Sequence, residues 1–118
     1  MKSFPKISIV IPTYNQADYL ETTLESIFSQ KYQNLEVIIQ DGGSIDGTVD
    51  LIKKYANKFP KNIRWISKKD KGQVDAINKG LRKATGDIFT YINSDDVYED
   101  GTLECVGSHF LLKPQTRW

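Results

Sequence analysis

Cysteine and histidine are nearly absent from this chain, which has one of each among its 118 residues. Cys105 has no partner for an internal disulfide, and His109 has no nearby cysteine or second histidine with which to bind a metal ion. The N-terminal segment lacks the long apolar core of a signal peptide, so we expect a cytoplasmic location. We expect Cys105 to be a half-buried helix residue, and His109 to serve in packing or at the surface rather than in catalysis.

Long apolar runs and an excess of one charge are missing as well. Every apolar stretch is far shorter than the ~20 residues that span a bilayer, so we expect a soluble segment, with any membrane anchor beyond Trp118. The 16 Lys and Arg residues nearly balance the 15 Asp and Glu residues, for a formal charge of +1. This balance gives no general attraction to nucleic acid or to an anionic membrane. The length is that of one domain with its own core.

Four short stretches are rich in β-branched and aromatic residues and do not alternate cleanly with polar ones, as is typical of strands covered on both faces. They are Ile7 to Ile11, Leu35 to Ile39, Ile63 to Ile66 and Ile88 to Ile92. Helical segments separate them, and strands joined by crossover helices pair in parallel. The pattern therefore predicts an open, mostly parallel α/β sheet with helices on both faces. Ligands of such sheets bind in a crevice at the carboxyl ends of the strands.

Three segments between these strands have the apolar spacing of a helix. Their apolar residues are, in turn, Leu20, Leu24, Ile27 and Phe28; Leu51, Ile52, Tyr55, Ala56 and Phe59; and Val74, Ile77, Leu81 and Ala84. Ser44 or Asp46 is a candidate cap for the second helix, and Gly86 is a candidate end for the third. A fourth helix is expected from near Thr102 to about Leu112, after an Asp-Gly pair.

The first two predicted strands end in residues suited to binding a ligand. The first strand runs into Pro12, Thr13, Tyr14 and Asn15, where the proline ends the ladder and the aromatic ring could stack on a flat ligand. An ordinary turn with Tyr14 half buried would have the same sequence. The second strand ends in Asp41, Gly42 and Gly43.

The Asp-Gly-Gly sequence combines a carboxylate with two residues of high backbone freedom. Glycines permit a tight turn and the close approach of a ligand, so Gly43 is a candidate binding residue. The carboxylate of Asp41 could accept a hydrogen bond from a base or a ribose hydroxyl. We expect Asp46 to cap the following helix rather than to bind a ligand. The phosphate-binding patterns G-x-x-x-x-G-K-[S/T] and G-x-G-x-x-G are both absent, which disfavours a dinucleotide-binding domain.

A basic loop with Lys68 and Lys69 follows the third predicted strand and leads to Gly72 at a helix start. Such a loop can offer ammonium groups, amide donors and the helix dipole to a diphosphate, although a solvated run of charge would have the same composition. Three polar residues crowd the first turns of this helix and are further candidates, with a solvent-facing stripe as the alternative. They are Gln73, Asp75 and Asn78.

Two adjacent carboxylates, Asp95 and Asp96, follow the fourth predicted strand. They would repel one another unless a cation lies beside them, and a hard divalent ion fits. Mg²⁺ or Mn²⁺ commonly takes one or two protein carboxylates and completes its coordination with water and phosphate oxygens. A carboxylate pair that caps a following turn is the alternative.

At these residues the sequence resembles a known family. The matching motifs are the Ile-Val-Ile-Pro-Thr-Tyr-Asn segment ending at Asn15, Asp41-Gly42-Gly43-Ser44, Lys71-Gly72-Gln73 through Gly80, and Asn93-Ser94-Asp95-Asp96. The chain resembles family 2 glycosyltransferases with the GT-A fold over nearly all of its length. The resemblance implies the inverting transfer of a sugar from a nucleoside diphosphate donor, a UDP or dTDP sugar, to an acceptor hydroxyl. A module that binds the nucleotide sugar without transferring it, as a fragment or a pseudoenzyme, is the alternative.

The resemblance also implies roles for the candidate residues. Tyr14 would stack on the base with Pro12, Thr13 and Asn15 beside it. Asp41 would hydrogen-bond the base, with Gly43 close by. Gln73, Asp75 and Asn78 would lie near the diphosphate or the donor sugar. Asp95 would face the ribose, and Asp96, with Asp95, would bind the Mn²⁺ or Mg²⁺ ion. Asn93 stands where the family's metal motif can have its first aspartate, so these two carboxylates must suffice.

The resemblance further divides the chain into a nucleotide-sugar-binding half over residues 1–100 and the start of an acceptor-binding half over residues 101–118. We expect the chain to be a fragment, with the catalytic base beyond Trp118. The final Gln-Thr-Arg-Trp resembles a signature of processive synthases but arrives too early, and we interpret it as coincidence. Expected partners are a glycan or lipid-linked acceptor in cell-surface polysaccharide synthesis, the cytoplasmic face of a membrane for the parent protein, and a second copy of the fragment.

Overall fold

The computed structural model describes residues 4–112, and the side chains of residues 4–108. The elements alternate in the predicted order. They are β1 (Ile7–Thr13), α1 (Ala17–Phe28), β2 (Leu35–Asp41), α2 (Thr48–Lys58), β3 (Ile63–Ser67), α3 (Gln73–Lys83), β4 (Ile88–Tyr91) and α4 (Thr102–Leu112). The expectations for the His109 side chain and for the final Gln-Thr-Arg-Trp lie outside the described residues. None of the helices between residues 4 and 112 is long and apolar enough to cross a membrane.

The four strands form one parallel sheet in the order β3-β2-β1-β4. This confirms the predicted open α/β architecture. The register brings Thr13 of β1 beside Asp41 of β2, and Asp41 beside Ser67 of β3. The carboxyl ends of three strands therefore meet at one edge of the sheet, and the loops that follow them are neighbours in space.

The two faces of the sheet are covered by different helices. Side chains alternate between the faces along a strand, so Ile7, Ile9 and Ile11 share one face with α1, α2 and α4 in the main apolar core. Val10 points to the other face, where α3 packs closely enough that a Cβ on Gly80 would lie 2.3 Å from Val10 Cγ1. Crossover helices on both sides leave the strand ends as the open part of the molecule.

A buried polar cluster on the α3 face was not predicted from the sequence. Glu36 is 6% exposed, and its carboxylate accepts hydrogen bonds from Ser8 Oγ at 2.8 Å, the Thr85 amide at 3.0 Å and Arg64 Nη1 at 3.2 Å. Burial alone would raise the pKa of Glu36, but these hydrogen bonds and the charge of Lys6 together lower it. The carboxylate therefore stays ionised inside the sheet and ties β1, β2 and β3 together.

Several local expectations were wrong. On α3 the buried residues are Ala76 and Gly80, whereas Val74 is 73% exposed, because close packing on the sheet admits only small side chains there. Cys105 is exposed rather than half buried. The third helix ends at Lys83, before Gly86.

The start of α2 also differs from the expectation, because the N-cap residue is Gly47 rather than Ser44 or Asp46. Asp46 nevertheless accepts hydrogen bonds from the Thr48 amide at 2.9 Å and from the Thr48 hydroxyl. The hydrogen bond from the Thr48 hydroxyl is the main reason that the pKa of Asp46 is lowered. Asp46 is therefore a local structural residue, as expected, although it lies one position before the cap.

The strand β4 lies at the end of the sheet, and two of its aromatic side chains are about half exposed. Phe89 is 49% exposed and Tyr91 is 52% exposed. Such surface is the kind that favours self-association, which stays a prediction.

The contact between Gly80 and Val10 gives a test of how rigid this packing is. We expect Gly80→Ala to lower the free energy of unfolding, because overpacking costs about 1–3 kcal/mol and the overlap outweighs a helix-propensity gain of about 1 kcal/mol. Urea unfolding of Gly80→Ala and the wild type measures the change, and a variant as stable as the wild type would contradict the prediction.

Candidate functional site

A cleft of about 570 Å³ opens at the carboxyl edge of the sheet, between the loops that follow the four strands. Residues from all of these loops line it. They are Pro12, Thr13, Tyr14, Gln16, Gly42, Lys69, Asp70, Gly72, Gln73, Ala76, Asn93, Ser94 and Asp95. The convergence of four loops distant in sequence is what the strand-end argument predicted. Five of the predicted nucleotide-binding residues lie in this wall: Pro12, Thr13, Tyr14, Gln73 and Asp95.

The loop after β1 presents an aromatic ring to this cleft. Tyr14 is 56% exposed, so its ring is available for stacking rather than half buried in a turn. Asn15 follows with a positive φ of 51° and does not line the cleft. Its amide N–H donates to Ser44 Oγ at 2.8 Å, and its side-chain oxygen accepts from the Ile45 amide at 2.9 Å. Asn15 therefore joins the loop after β1 to the loop after β2.

Thr13 contributes a hydroxyl without a partner. The residue is 6% exposed, and among the described side chains its Oγ1 is the one buried polar atom that makes no hydrogen bond. Leaving a hydroxyl buried and unpaired is unfavourable, so such atoms commonly mark a place where a water or a ligand binds. Because Thr13 also lines the cleft, a polar ligand atom there could supply the missing partner.

Asp41 lies behind the cleft wall rather than in it. It is 2% exposed, and its carboxylate accepts four hydrogen bonds: from the Gly43 amide at 3.1 Å, the Ser44 amide at 2.8 Å, Ser44 Oγ at 2.5 Å and Ser67 Oγ at 2.7 Å. The predicted contact with a base would require one of these donors to give way. In this structure Asp41 shapes the loop after β2, and Gly43, which has a φ of 90°, makes the turn around it.

Asp70, which the sequence argument passed over, supplies a carboxylate to the cleft. It approaches Gly42 so closely that a Cβ on that glycine would lie 3.1 Å from Asp70 Oδ2. Its Oδ1 accepts a hydrogen bond from the Gly72 amide at 2.9 Å, at the start of α3. The signal available in the sequence was the first glycine of the Asp-Gly-Gly motif, whose missing side chain makes room for this carboxylate.

The polar residues at the start of α3 separate into different environments. The side-chain amide of Gln73 donates to Asn93 Oδ1, which links α3 to the loop after β4 at the cleft. Asp75 does not line the cleft, because its carboxylate pairs with Lys79 Nζ at 3.0 Å and accepts from the Lys71 amide at 3.0 Å. The hydrogen bond from the Lys71 amide is the largest cause of its lowered pKa. Asn78 is exposed and outside the cleft wall.

The loop after β4 places its two carboxylates differently. Asp95 lines the cleft, whereas Asp96 is exposed next to it and is not part of the wall. The loop is fastened to α1, since Thr23 Oγ1 donates to the backbone oxygens of Ser94 at 2.9 Å and Asp96 at 2.5 Å. These two contacts fix the backbone on either side of Asp95, and both aspartates are exposed.

The two carboxylates at the rim of the cleft fit a hard divalent ion that takes only some of its ligands from the protein. Between residues 4 and 108, no three His, Cys, Asp or Glu side chains cluster as a ready metal site. Two adjacent carboxylates beside an open cleft are nevertheless the ligands that Mg²⁺ and Mn²⁺ commonly use when phosphate oxygens and water fill the other positions.

Comparison with known proteins agrees with this geometry. Residues 8–110 match the family model described as glycosyl transferase family 2. An uncharacterized glycosyltransferase of Haemophilus influenzae is 36% identical over 102 residues, which cover 86% of this chain and 41% of that protein. The uncharacterized glycosyltransferase YibD of Escherichia coli is 36% identical over 96 residues, which cover 81% of this chain and 28% of YibD. The chain thus spans less than half the length of these relatives.

Solved structures share the fold. The mannosyltransferase PcManGT from Pyrobaculum calidifontis, in complex with GDP-Man and Mn²⁺, matches with a TM-score of 0.82 and 30% identity over 96% of this chain and 34% of that protein. TarS 1-349 from S. aureus, in complex with UDP-GlcNAc, matches with a TM-score of 0.81 and 28% identity over 91% of this chain and 31% of that one. Both resemblances cover more than nine-tenths of this chain.

The hydrogen bonds of Asp41 predict a mainly structural role for this residue. An amide has one acceptor oxygen and two N–H donors, so Asp41→Asn would leave loop donors unpaired, at about 1–3 kcal/mol each. We expect a clear loss of unfolding free energy by urea denaturation, and a smaller loss for Ser67→Ala, which removes one of the donors. An Asp41→Asn variant with unchanged stability but weakened nucleotide binding would show that the carboxylate serves the ligand instead.

Proposed function

Because the chain belongs to glycosyl transferase family 2, we propose that its cleft binds a nucleoside diphosphate sugar, with UDP or dTDP as the nucleotide. The unpartnered hydroxyl of Thr13 in the cleft wall is the observation that carries this proposal, because it marks a place prepared for a polar ligand atom. The exposed ring of Tyr14 lies in the same wall and offers a surface for the base. The nucleotide sugars in the complexes of PcManGT and TarS support the same assignment.

The cleft offers different chemistry to the two ends of such a ligand. Tyr14 and Thr13 come from the end of β1 and suit the nucleoside. Gln73 at the start of α3 and Asp95 after β4 line the cleft further along the sheet edge and suit the ribose and the diphosphate. Lys69 adds one cationic side chain, and the start of α3 at Gln73 adds its dipole, both of which favour phosphate.

A divalent metal ion is the remaining component of the proposal. Asp95 and Asp96 are the residues that would bind Mn²⁺ or Mg²⁺, together with phosphate oxygens of the donor. Such an ion stabilises negative charge on a leaving diphosphate. The contribution of this chain is to hold the loop that carries both carboxylates, through the hydrogen bonds of Thr23 to the backbone oxygens of Ser94 and Asp96. The Mn²⁺ in the PcManGT complex supports this assignment.

For the whole protein we propose inverting transfer of the sugar to an acceptor hydroxyl. A carboxylate base would take the proton of that hydroxyl. We further propose a glycan or lipid-linked acceptor, a role in cell-surface polysaccharide synthesis and a location at the cytoplasmic face of the membrane. The family resemblance supports these three points. The short span of the chain relative to its relatives favours donor binding without transfer as the alternative for this segment alone.

The nucleotide-binding proposal predicts a specific phenotype for Thr13→Val, which replaces the hydroxyl by a methyl group of similar size. The hydroxyl has no partner in the protein, so the free energy of unfolding should not fall. Affinity for UDP, measured by titration calorimetry, should fall roughly tenfold, the cost of about one hydrogen bond. Thr22→Val, on the exposed side of α1, is the matched control. Equal UDP affinity of Thr13→Val and the wild type would remove Thr13 from the binding site.

Transfer itself is tested on the product of the longest reading frame that contains this chain. With a UDP sugar and Mn²⁺, we expect the anomeric configuration to invert, as followed by proton NMR. Asp96→Asn should lower the rate by at least about a hundredfold, because a bound metal supplies several kcal/mol of charge stabilisation. Asp100→Asn, an equally exposed carboxylate outside the cleft wall, is the control.

The possible outcomes separate the proposals. Equal rates for the Asp96 and Asp100 variants would contradict the metal assignment. Metal-dependent nucleotide binding without any transfer or hydrolysis by the long product would establish the binding-module alternative. Retention of the anomeric configuration would contradict the proposed single displacement.

A further inference from the structure

A second cavity, of about 280 Å³, lies next to the cleft, where the ends of β2 and β3 meet α3. Its wall combines apolar and charged groups, and cationic side chains predominate. The lining residues are Gln40, Asp41, Ile66, Lys68, Asp70, Lys79, Arg82 and Lys83. We propose that this cavity binds an anionic phosphate group, as a site separate from the nucleotide cleft.

The charges of the cavity favour an anion. Four cationic side chains line it against two carboxylates, and one of those carboxylates, Asp41, is already occupied by its own hydrogen bonds. Lys79 pairs with Asp75 at 3.0 Å. Lys68 and Arg82 make no ion pair with another described side chain. Two cations are therefore left for a ligand, and one is a guanidinium, whose planar fork suits phosphate oxygens.

The side-chain amide of Gln40 in the cavity wall can offer donors to an acceptor ligand. Gln40 is 4% exposed, and its side-chain oxygen accepts a hydrogen bond from Lys83 Nζ at 2.8 Å. This contact assigns the oxygen to Lys83, so the NH₂ group is the other, donor end of the side chain. An NH₂ group presented to a cavity has two N–H donors to satisfy, and an anionic oxygen satisfies them.

The charge environment of Lys83 also favours an anionic ligand. Burial, with the nearby charges of Arg64 and Lys79, lowers the pKa of its ammonium group. The cationic groups are thus close enough to one another to repel, and repulsion of this kind is relieved by a bound anion. The only acceptor carboxylate open to the cavity is that of Asp70, one of whose oxygens is occupied by the Gly72 amide.

The site is tested with inorganic phosphate, titrated into the purified chain at low ionic strength and followed by calorimetry. The test variant is the double substitution Lys68→Ala/Arg82→Ala, and Lys53→Ala/Lys61→Ala removes the same charge from exposed positions outside the cavity. We expect the wild type and the control to bind phosphate alike. The test variant should bind roughly tenfold more weakly, because it loses charge-assisted hydrogen bonds. Unfolding measurements confirm that both variants are folded.

Three results would overturn the proposal. The first is no phosphate binding by the wild type. The second is an equal loss of affinity in both double variants, which would show general attraction to positive charge. The third is loss of phosphate binding when the cleft is saturated with UDP and Mn²⁺, which would place the phosphate in the nucleotide cleft.

A second arm identifies where the phosphate comes from. Vesicles of phosphatidylcholine with and without phosphatidic acid are sedimented with the wild type and both double variants. Co-sedimentation that requires phosphatidic acid and is lost only in Lys68→Ala/Arg82→Ala supports the site with a lipid headgroup as its ligand. Calorimetric binding of inorganic phosphate without such co-sedimentation supports the site with a free phosphate as its ligand.

Discussion

The carboxylate of Asp41 is the contact on which the rest of the site depends. It joins the turn after β2 to the end of β3, since its donors come from Gly43, Ser44 and Ser67. Ser44 in turn accepts from the Asn15 amide, which extends the connection to the loop after β1. A carboxylate at 2% exposure is favourable only when its oxygens are occupied, so burial and hydrogen bonding here require each other. One side chain therefore links the loops after β1 and β2 to the end of β3.

The fold and the location of the cleft could be predicted from the sequence because they follow from periodic patterns. The apolar stretches predicted every strand, and the parallel order follows from the crossover helices between them. The strand ends then had to converge at one edge, and residues such as Tyr14 and Asp95 do line one cleft. Each of these inferences uses neighbours along the chain or the geometry of a regular sheet.

The features that the sequence did not predict depend on contacts between residues that are distant in the chain and share no sequence pattern. Ser67 reaches Asp41 across β2 and β3, and Thr85 reaches Glu36 from beyond α3. Asp70 enters the cleft because Gly42 lacks a side chain, a relation between two loops that share no motif. The prediction of which α3 residues are buried was wrong for a related reason. The distance between helix and sheet selects Gly80 at the contact, and that distance is set by the whole packing.

The pair of hydrogen bonds between Asn15 and the loop after β2 has a consequence for the thermodynamics of ligand capture. Loops that move independently lose conformational entropy when a ligand fastens both of them, and this loss weakens binding. Here the amide of Asn15 and its side-chain oxygen already connect the two loops at 2.8 and 2.9 Å. One side of the cleft is thus preorganised before a ligand binds. Less of the binding free energy is then lost to ordering these two loops.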